Sequence, residues 1–240
     1  MLRFARRVGL LTAILCSPLA QAFDVVISET EFRMLSDNCK RFYSVTQIGR
    51  TLGFTMRFSA TEHRETTADA ERAGGAWHYC AGTVYMSRAA VAPTPDKKQY
   101  ILNMALKEIS FSARKILEEH RMYGEVQLNQ AKVTFLLGQQ DASKSLLQQL
   151  MQKNPDYIPA RIELARQLAK TNQLQQAVDL LLAIDEKWRE KSADLNYALG
   201  LYLFKLGKFE QSYPYAKRAY QLRYPLPWLK NQLKRKGFKF

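Results

Sequence analysis

Through the second half of the chain, apolar residues recur at the spacing of amphipathic helices: Leu164, Leu168, Leu174, Val178, Leu181 and Leu182, then Leu199, Leu203, Leu206, Phe209, Tyr213, Ala216 and Ala219. A longer period is laid over this one. Ala131, Ala165 and Gly200 are 34 and then 35 residues apart, and the same intervals separate Gly138, Asn172 and Gly207; Ser143, Ala177 and Ser212; and Leu150, Ile184 and Ala219. The first column is small where one helix must lie close to the next. The second holds Gly or Asn, the residues that most easily take the left-handed turn closing a helix. The third is small again where a second helix crosses back. Pro155 and Pro225 punctuate the ends of second helices, because proline lacks the N–H that would continue the ladder. Residues 124–157, 158–191 and 193–226 therefore predict three helix-turn-helix units.

Leu199-Gly200, Gly207-Lys208-Phe209, Ser212, Ala219 and Pro225 resemble the tetratricopeptide repeat, and the two earlier units resemble it more weakly. Gln130 and Gln140 depart from the expected apolar positions of the first unit. The resemblance implies an all-α fold: a right-handed superhelical stack of hairpins over 123–226, with a divergent helical cap over 23–122 and a basic capping helix over 227–240. Within the cap, Trp77 to Ala89 and Lys97 to Glu119 read as two helices joined by the loop Val91 to Pro95, a divergent further hairpin. Met34 to Val45 reads as a helix carrying Cys39, and Ser59 to Thr67 as a loop or a helix start. The region from Phe23 to Thr67 is expected to fold over the first hairpin, since a terminal repeat must have its apolar edge covered.

Charge and cysteine usage add a location. Arg3, Arg6 and Arg7 precede an apolar run from Val8 to Cys16, followed by Ser17, Pro18, Leu19, Ala20, Gln21 and Ala22. This is the three-part pattern of a secretory signal, cleaved after Ala22, and the run is shorter than the about 20 residues that span a bilayer. Lipid modification at Cys16 is the rival reading, disfavoured by the bulky Leu15. The expected location is the periplasm. The net charge is +14, or +11 once the three arginines are removed. Cys39 and Cys80 remain after processing, and an even count in an oxidising compartment points to a disulfide, the alternative being two buried thiols. The segment His78-Tyr79-Cys80-Ala81-Gly82, with Cys39-Lys40-Arg41 upstream and Asn154 to Ala160 downstream, is similar to exported proteobacterial repeat proteins. That likeness also implies the Cys39–Cys80 link and conveys no activity.

Nothing in the sequence assembles a catalytic centre. His63, His78 and His120 are scattered, and His78 and Cys80, two apart on a helix, point in different directions and lack further zinc ligands. Glu118-Glu119 and Asp185-Glu186 are adjacent on helices and do not face one another. There is no phosphate-binding Gly-rich loop and no Gly-x-Ser-x-Gly or His-Glu-x-x-His motif. No enzyme, cofactor or metal is expected. First helices of such stacks line a concave groove, which assigns to it Leu128, Lys132, Phe135 and Leu136; Ile162, Arg166 and Lys170; and Tyr197, Leu201, Phe204 and Lys205. An apolar and basic lining suits a peptide with acidic and apolar side chains. The expected role is a scaffold for a protein or peptide partner in assembly of an envelope structure such as a pilus, secretion or surface polysaccharide apparatus. The alternative is a binder of an anionic polymer or membrane surface, for which the tail Lys230, Lys234, Arg235, Lys236 and Lys239 is the feature.

Overall fold

The computed structural model describes residues 25–240, so the expected export signal over residues 1–22 lies outside the described part. Among the described residues there are fourteen α-helices, one 3-10 turn and no strand. The first three helices are short, and hydroxyl side chains set the starts of the first four: α1 (Glu29–Met34) from Ser28, α2 (Asp37–Ser44) from Ser36, α3 (Gln47–Thr51) from Thr46, and α4 (Ala60–Arg72) from Ser59. The 3-10 turn Phe54–Arg57 precedes α4. One expectation is corrected here. A single helix from Met34 to Val45 does not form, because the backbone is extended at Leu35 and Ser36 and the Ser36 side chain accepts from Cys39 N, starting a fresh helix at Asp37. Of the two readings of Ser59 to Thr67 the helix start holds: these residues are the cap and first turns of α4, with Ser59 and Glu62 in a reciprocal capping box.

This segment covers the first hairpin by burial of apolar side chains. Val25, Ile27, Phe32, Phe42, Tyr43 and Phe54 share a core with Tyr79, Cys80, Ala81 and Val84 of the next helix, α5 (Ala76–Ala90). Phe32 and Phe54 stack at 4.0 Å. Cys39 Sγ lies 2.02 Å from Cys80 Sγ, joining α2 to α5 across 41 positions of sequence. Arg88 of α5 donates to both carboxylate oxygens of Glu31 at 2.6 and 3.0 Å and to Val26 O. These hydrogen bonds hold the Glu31 carboxyl down at about 2.

Four hairpins follow: α5 with α6 (Pro95–Ala113), α7 (Tyr123–Leu136) with α8 (Gln140–Lys153), α9 (Ile158–Lys170) with α10 (Leu174–Leu182), and α12 (Ala193–Lys205) with α13 (Phe209–Gln221). The short α11 (Glu186–Arg189) links the third to the fourth, and α14 (Trp228–Arg235) closes the stack. The expected helix from Lys97 to Glu119 is six residues shorter at its end. Ile116 is buried in the core, Gln127 Nε2 donates to Ala113 O at 2.8 Å, and the Gly74 backbone approaches so closely that a Cβ there would sit 2.6 Å from Ile116 N. Helix cannot continue through that crowding.

The repeat columns have physical roles. Gly138, Asn172 and Gly207 have φ of 83°, 61° and 75°, and each is followed by an N–H that reaches back to the helix: Gln139 to Thr134 O, Gln173 to Leu168 O, and Lys208 to Leu203 O. This is the Schellman closure of a helix C-terminus. The small columns pair with each other, since Ser143 Oγ donates to Ala131 O and Ser212 Oγ to Gly200 O, both at 2.7 Å. An added Cβ at Gly207 meets nothing within 4 Å, so the cost of replacing it is confined to the backbone, roughly 1 kcal/mol for alanine and more for a β-branched side chain. Gly207→Val is expected to lower hydrogen-exchange protection from Ala193 to Arg235 more than from Tyr123 to Leu182. Unchanged protection in the last hairpin would contradict the role assigned to this turn.

Candidate functional site

The first helices α7 and α9 bring four of the sequence-assigned residues together. Phe135 lies under Arg166 and Lys170, whose cationic atoms are 5.7 and 5.9 Å from the ring centroid. Lys132 stands one helical turn before Phe135 on the same helix. Arg166 is held rather than loose: its Nε donates to Glu163 Oε2 at 2.7 Å, and its Nη2 donates to the other oxygen. Glu163 is only 5% exposed and also accepts from Gln167 Nε2 at 2.8 Å. Gln167 Oε1 lies 3.0 Å from Ser143 Oγ, which ties this network to the hairpin seam.

Electrostatics at this face are unbalanced. Burial pulls the Lys132 ammonium below its usual range, and the nearby Arg166 adds to that effect against the opposing charges of Glu163 and Glu125. Lys170 is lowered by burial and then by Arg166, with Lys98 contributing in the same direction. Burial would lower Arg166 as well, but its hydrogen bonds and attraction to Glu163 leave it raised. Three cations thus share the buried Glu163, with Glu125 acting on Lys132 alone. An anion arriving here would relieve their mutual repulsion.

Other assigned residues lie elsewhere. Leu128 is 5% exposed and belongs to the core of the first two hairpins, so it does not line the groove. Tyr197, Leu201 and Phe204 pack against the cluster formed by Ala216, Leu229 and Leu233. Tyr197 stacks on Tyr224 at 3.9 Å, and Phe204 meets Phe209 at 5.0 Å and the edge of Trp228 at 5.8 Å. The reason is the closing helix: α14 uses this side of α12 as its seat. Lys205 is exposed beyond that seam. Leu136 is exposed next to Phe135, and Ile162 is half-buried.

A polar cleft was not visible from the sequence. Tyr79 of α5 donates its hydroxyl to Glu125 Oε1 at 2.6 Å and accepts from Asn129 Nδ2 at 2.6 Å. With Met34, Thr83 and Ser87 these residues line a cleft of about 200 Å³ between α1, α5 and α7. Burial, and then the Glu125 charge, push the Tyr79 hydroxyl far up, so it remains a donor. Glu125 and Lys132 are seven residues apart on α7, about 10 Å along one face, so the face changes sign along its length. Tyr79 escapes the repeat columns because the longer α5–α6 hairpin breaks the register. Among the described residues, no group of three or more His, Cys, Asp or Glu is placed to hold a metal ion. His78 Nδ1 instead lies 2.6 Å from Glu108 Oε2 of α6.

The tetratricopeptide-repeat family matches residues 135–193, from the end of α7 to the start of α12. The solved structure of YrrB, described as a TPR protein with an unusual peptide-binding site, is similar at 20% identity with a TM-score of 0.49, covering 82% of this chain and 88% of that one. No curated protein matches the chain. The family match falls on hairpins whose left-handed turns and paired small columns are described above, and residues 135–193 are a tetratricopeptide-repeat segment.

Proposed function

We propose that this chain is an exported scaffold that holds a peptide segment of a partner protein on the α7–α9 face during assembly of an envelope structure. A tetratricopeptide fold points to a protein- or peptide-binding scaffold, and the proposed role is to hold rather than to catalyse. The observation that carries the reading is the shortage of free negative charge beside a half-buried ring: Arg166 and Lys170 lie over Phe135 with Lys132 one turn away on α7, while Glu163 is engaged by Arg166 and Glu125 by Tyr79. A segment with an acidic side chain beside an aromatic or aliphatic one fits that surface. Export rests on the three arginines, the apolar run and the Ala20-Gln21-Ala22 site, with the mature chain starting at Phe23 in the periplasm. In that compartment Cys39 and Cys80 would be held oxidised.

A photo-crosslinker at the exposed Leu136 of the exported chain tests the reading. The expected product is a discrete adduct with an acidic segment of an envelope protein, and a peptide of that segment should bind at least about tenfold more weakly to Lys170→Glu, since one attraction becomes a repulsion. Arg166 is unsuitable for this purpose because its loss would leave Glu163 buried without its charge partner. An adduct and an affinity indifferent to Lys170→Glu would refute the groove.

A further inference from the structure

The chain's net charge is not spread over the stack. Residues 25–196 carry 23 Lys and Arg against 20 Asp and Glu, whereas residues 197–240 carry ten Lys and Arg against a single acid, Glu210. Among the described residues, no carboxylate lies within ion-pair distance of those ten cations. We propose that the closing end of the stack, made by α13, α14 and the tail, is a docking surface for an anionic lipid membrane. This surface is separate from the peptide-binding face of α7 and α9.

The geometry of α14 supports it. Leu229 and Leu233 are fully buried, which turns Trp228, Asn231, Lys234 and Arg235 outward. Leu226 and Trp228, at the start of that outward stripe, are 55% and 46% exposed. The stripe therefore runs from an apolar end to a cationic end. The tail adds to it, because Phe238 stacks on Tyr213 at 5.0 Å, Phe240 meets the edges of Tyr213 and Tyr220, and the Tyr213 hydroxyl donates to Lys239 O. These contacts keep the tail folded on α13.

Anionic polymers of other kinds fit less well. A sugar or base would be recognised by stacking on open ring faces, whereas Phe238 stacks on Tyr213, Lys217 lies over the same ring and Lys230 lies over Tyr220. Exposed Leu226 and Trp228 serve no purpose against a purely ionic polymer. At a bilayer they enter the boundary between headgroups and acyl chains, where Trp is favoured, while the surrounding Lys and Arg meet the phosphates.

Co-sedimentation of the exported full-length chain with vesicles of phosphatidylcholine, alone or with phosphatidylglycerol added, tests the proposal. Binding is expected only to the anionic vesicles and should fall as salt rises. Reversing Lys234, Arg235 and Lys236 to Glu should weaken it on the order of 100-fold. Leu226→Ser, at a side chain that supports no core, should weaken it about tenfold. Peptide binding at the Lys170 face should be unchanged in both variants, which separates failure of this proposal from failure of the groove. No preference for anionic vesicles would overturn it. So would displacement by soluble dextran sulfate combined with native binding by Leu226→Ser, which would reassign the surface to a soluble polyanion.

Discussion

Reduction of the oxidised chain, or the double replacement Cys39→Ala and Cys80→Ala, is expected to lower its unfolding free energy by about 4 kcal/mol. The estimate comes from the chain entropy regained when a loop of 41 positions is released in the unfolded state. Against a typical total of about 5–15 kcal/mol, this is a large share. The loss should not be uniform. Cys39 sits on α2 and Cys80 on α5, so the bond anchors the N-terminal cover to the first hairpin, while the last hairpin is held by its own core of Leu195, Leu199, Leu203 and their neighbours. Urea unfolding of chain purified from an oxidising compartment, with and without dithiothreitol, gives the difference, and hydrogen exchange locates it between Val25 and Ala90. Equal midpoints under both conditions would show that the two sulfurs contribute no cross-link.

Gly82→Val is expected to cost about 3 kcal/mol or more. Gly82 lies where α5 crosses α6, and a Cβ there would fall 2.3 Å from Ile109 Cγ1 and 3.1 Å from Ala105 O. Ile109 and Ala105 are both fully buried, so neither can move aside cheaply, and overpacking of this kind strains rotamers and backbone together. The smaller change Gly82→Ala gains up to about 1 kcal/mol of helix propensity, and the steric term should still dominate it. A double-mutant cycle isolates that term. Ile109→Ala removes the atom in the way, so Gly82→Ala combined with Ile109→Ala should be less destabilised than the sum of the single changes by about 1 kcal/mol or more. Additive losses, measured by thermal or urea unfolding, would mean that the crossing is looser than the geometry requires.

Much of the repeat array was legible because its signals are local. A left-handed turn needs Gly or Asn at one place, a close helix crossing needs a small residue at another, and both needs recur with each hairpin. Gly138, Asn172 and Gly207 take that turn, and Ser143 and Ser212 bond to the carbonyls of Ala131 and Gly200. Short-range capping is also present in the letters: Ser36 and the Ser59–Glu62 pair divide the N-terminal helices. The candidate site was less legible. Periodicity assigns Tyr197, Leu201 and Phe204 to a face, but it does not say whether solvent or another helix meets that face, and here α14 does.

The helical class, the repeat period, the turn positions and the basic bias of the C-terminal residues are written directly in the order of the amino acids. These follow from backbone sterics and side-chain chemistry that act within one hairpin or are simply counted. Which cations work together depends on the packing of the hairpins, because Arg166 and Lys170 converge on Phe135 from a different helix. The same packing brings Tyr79, Glu125 and Asn129 into one polar cleft although they lie up to 50 positions apart. Such groupings depend on how hairpins stack and where the terminal helices settle, and those outcomes are set by long-range burial of apolar surface, which leaves no periodic trace in the residues it brings together.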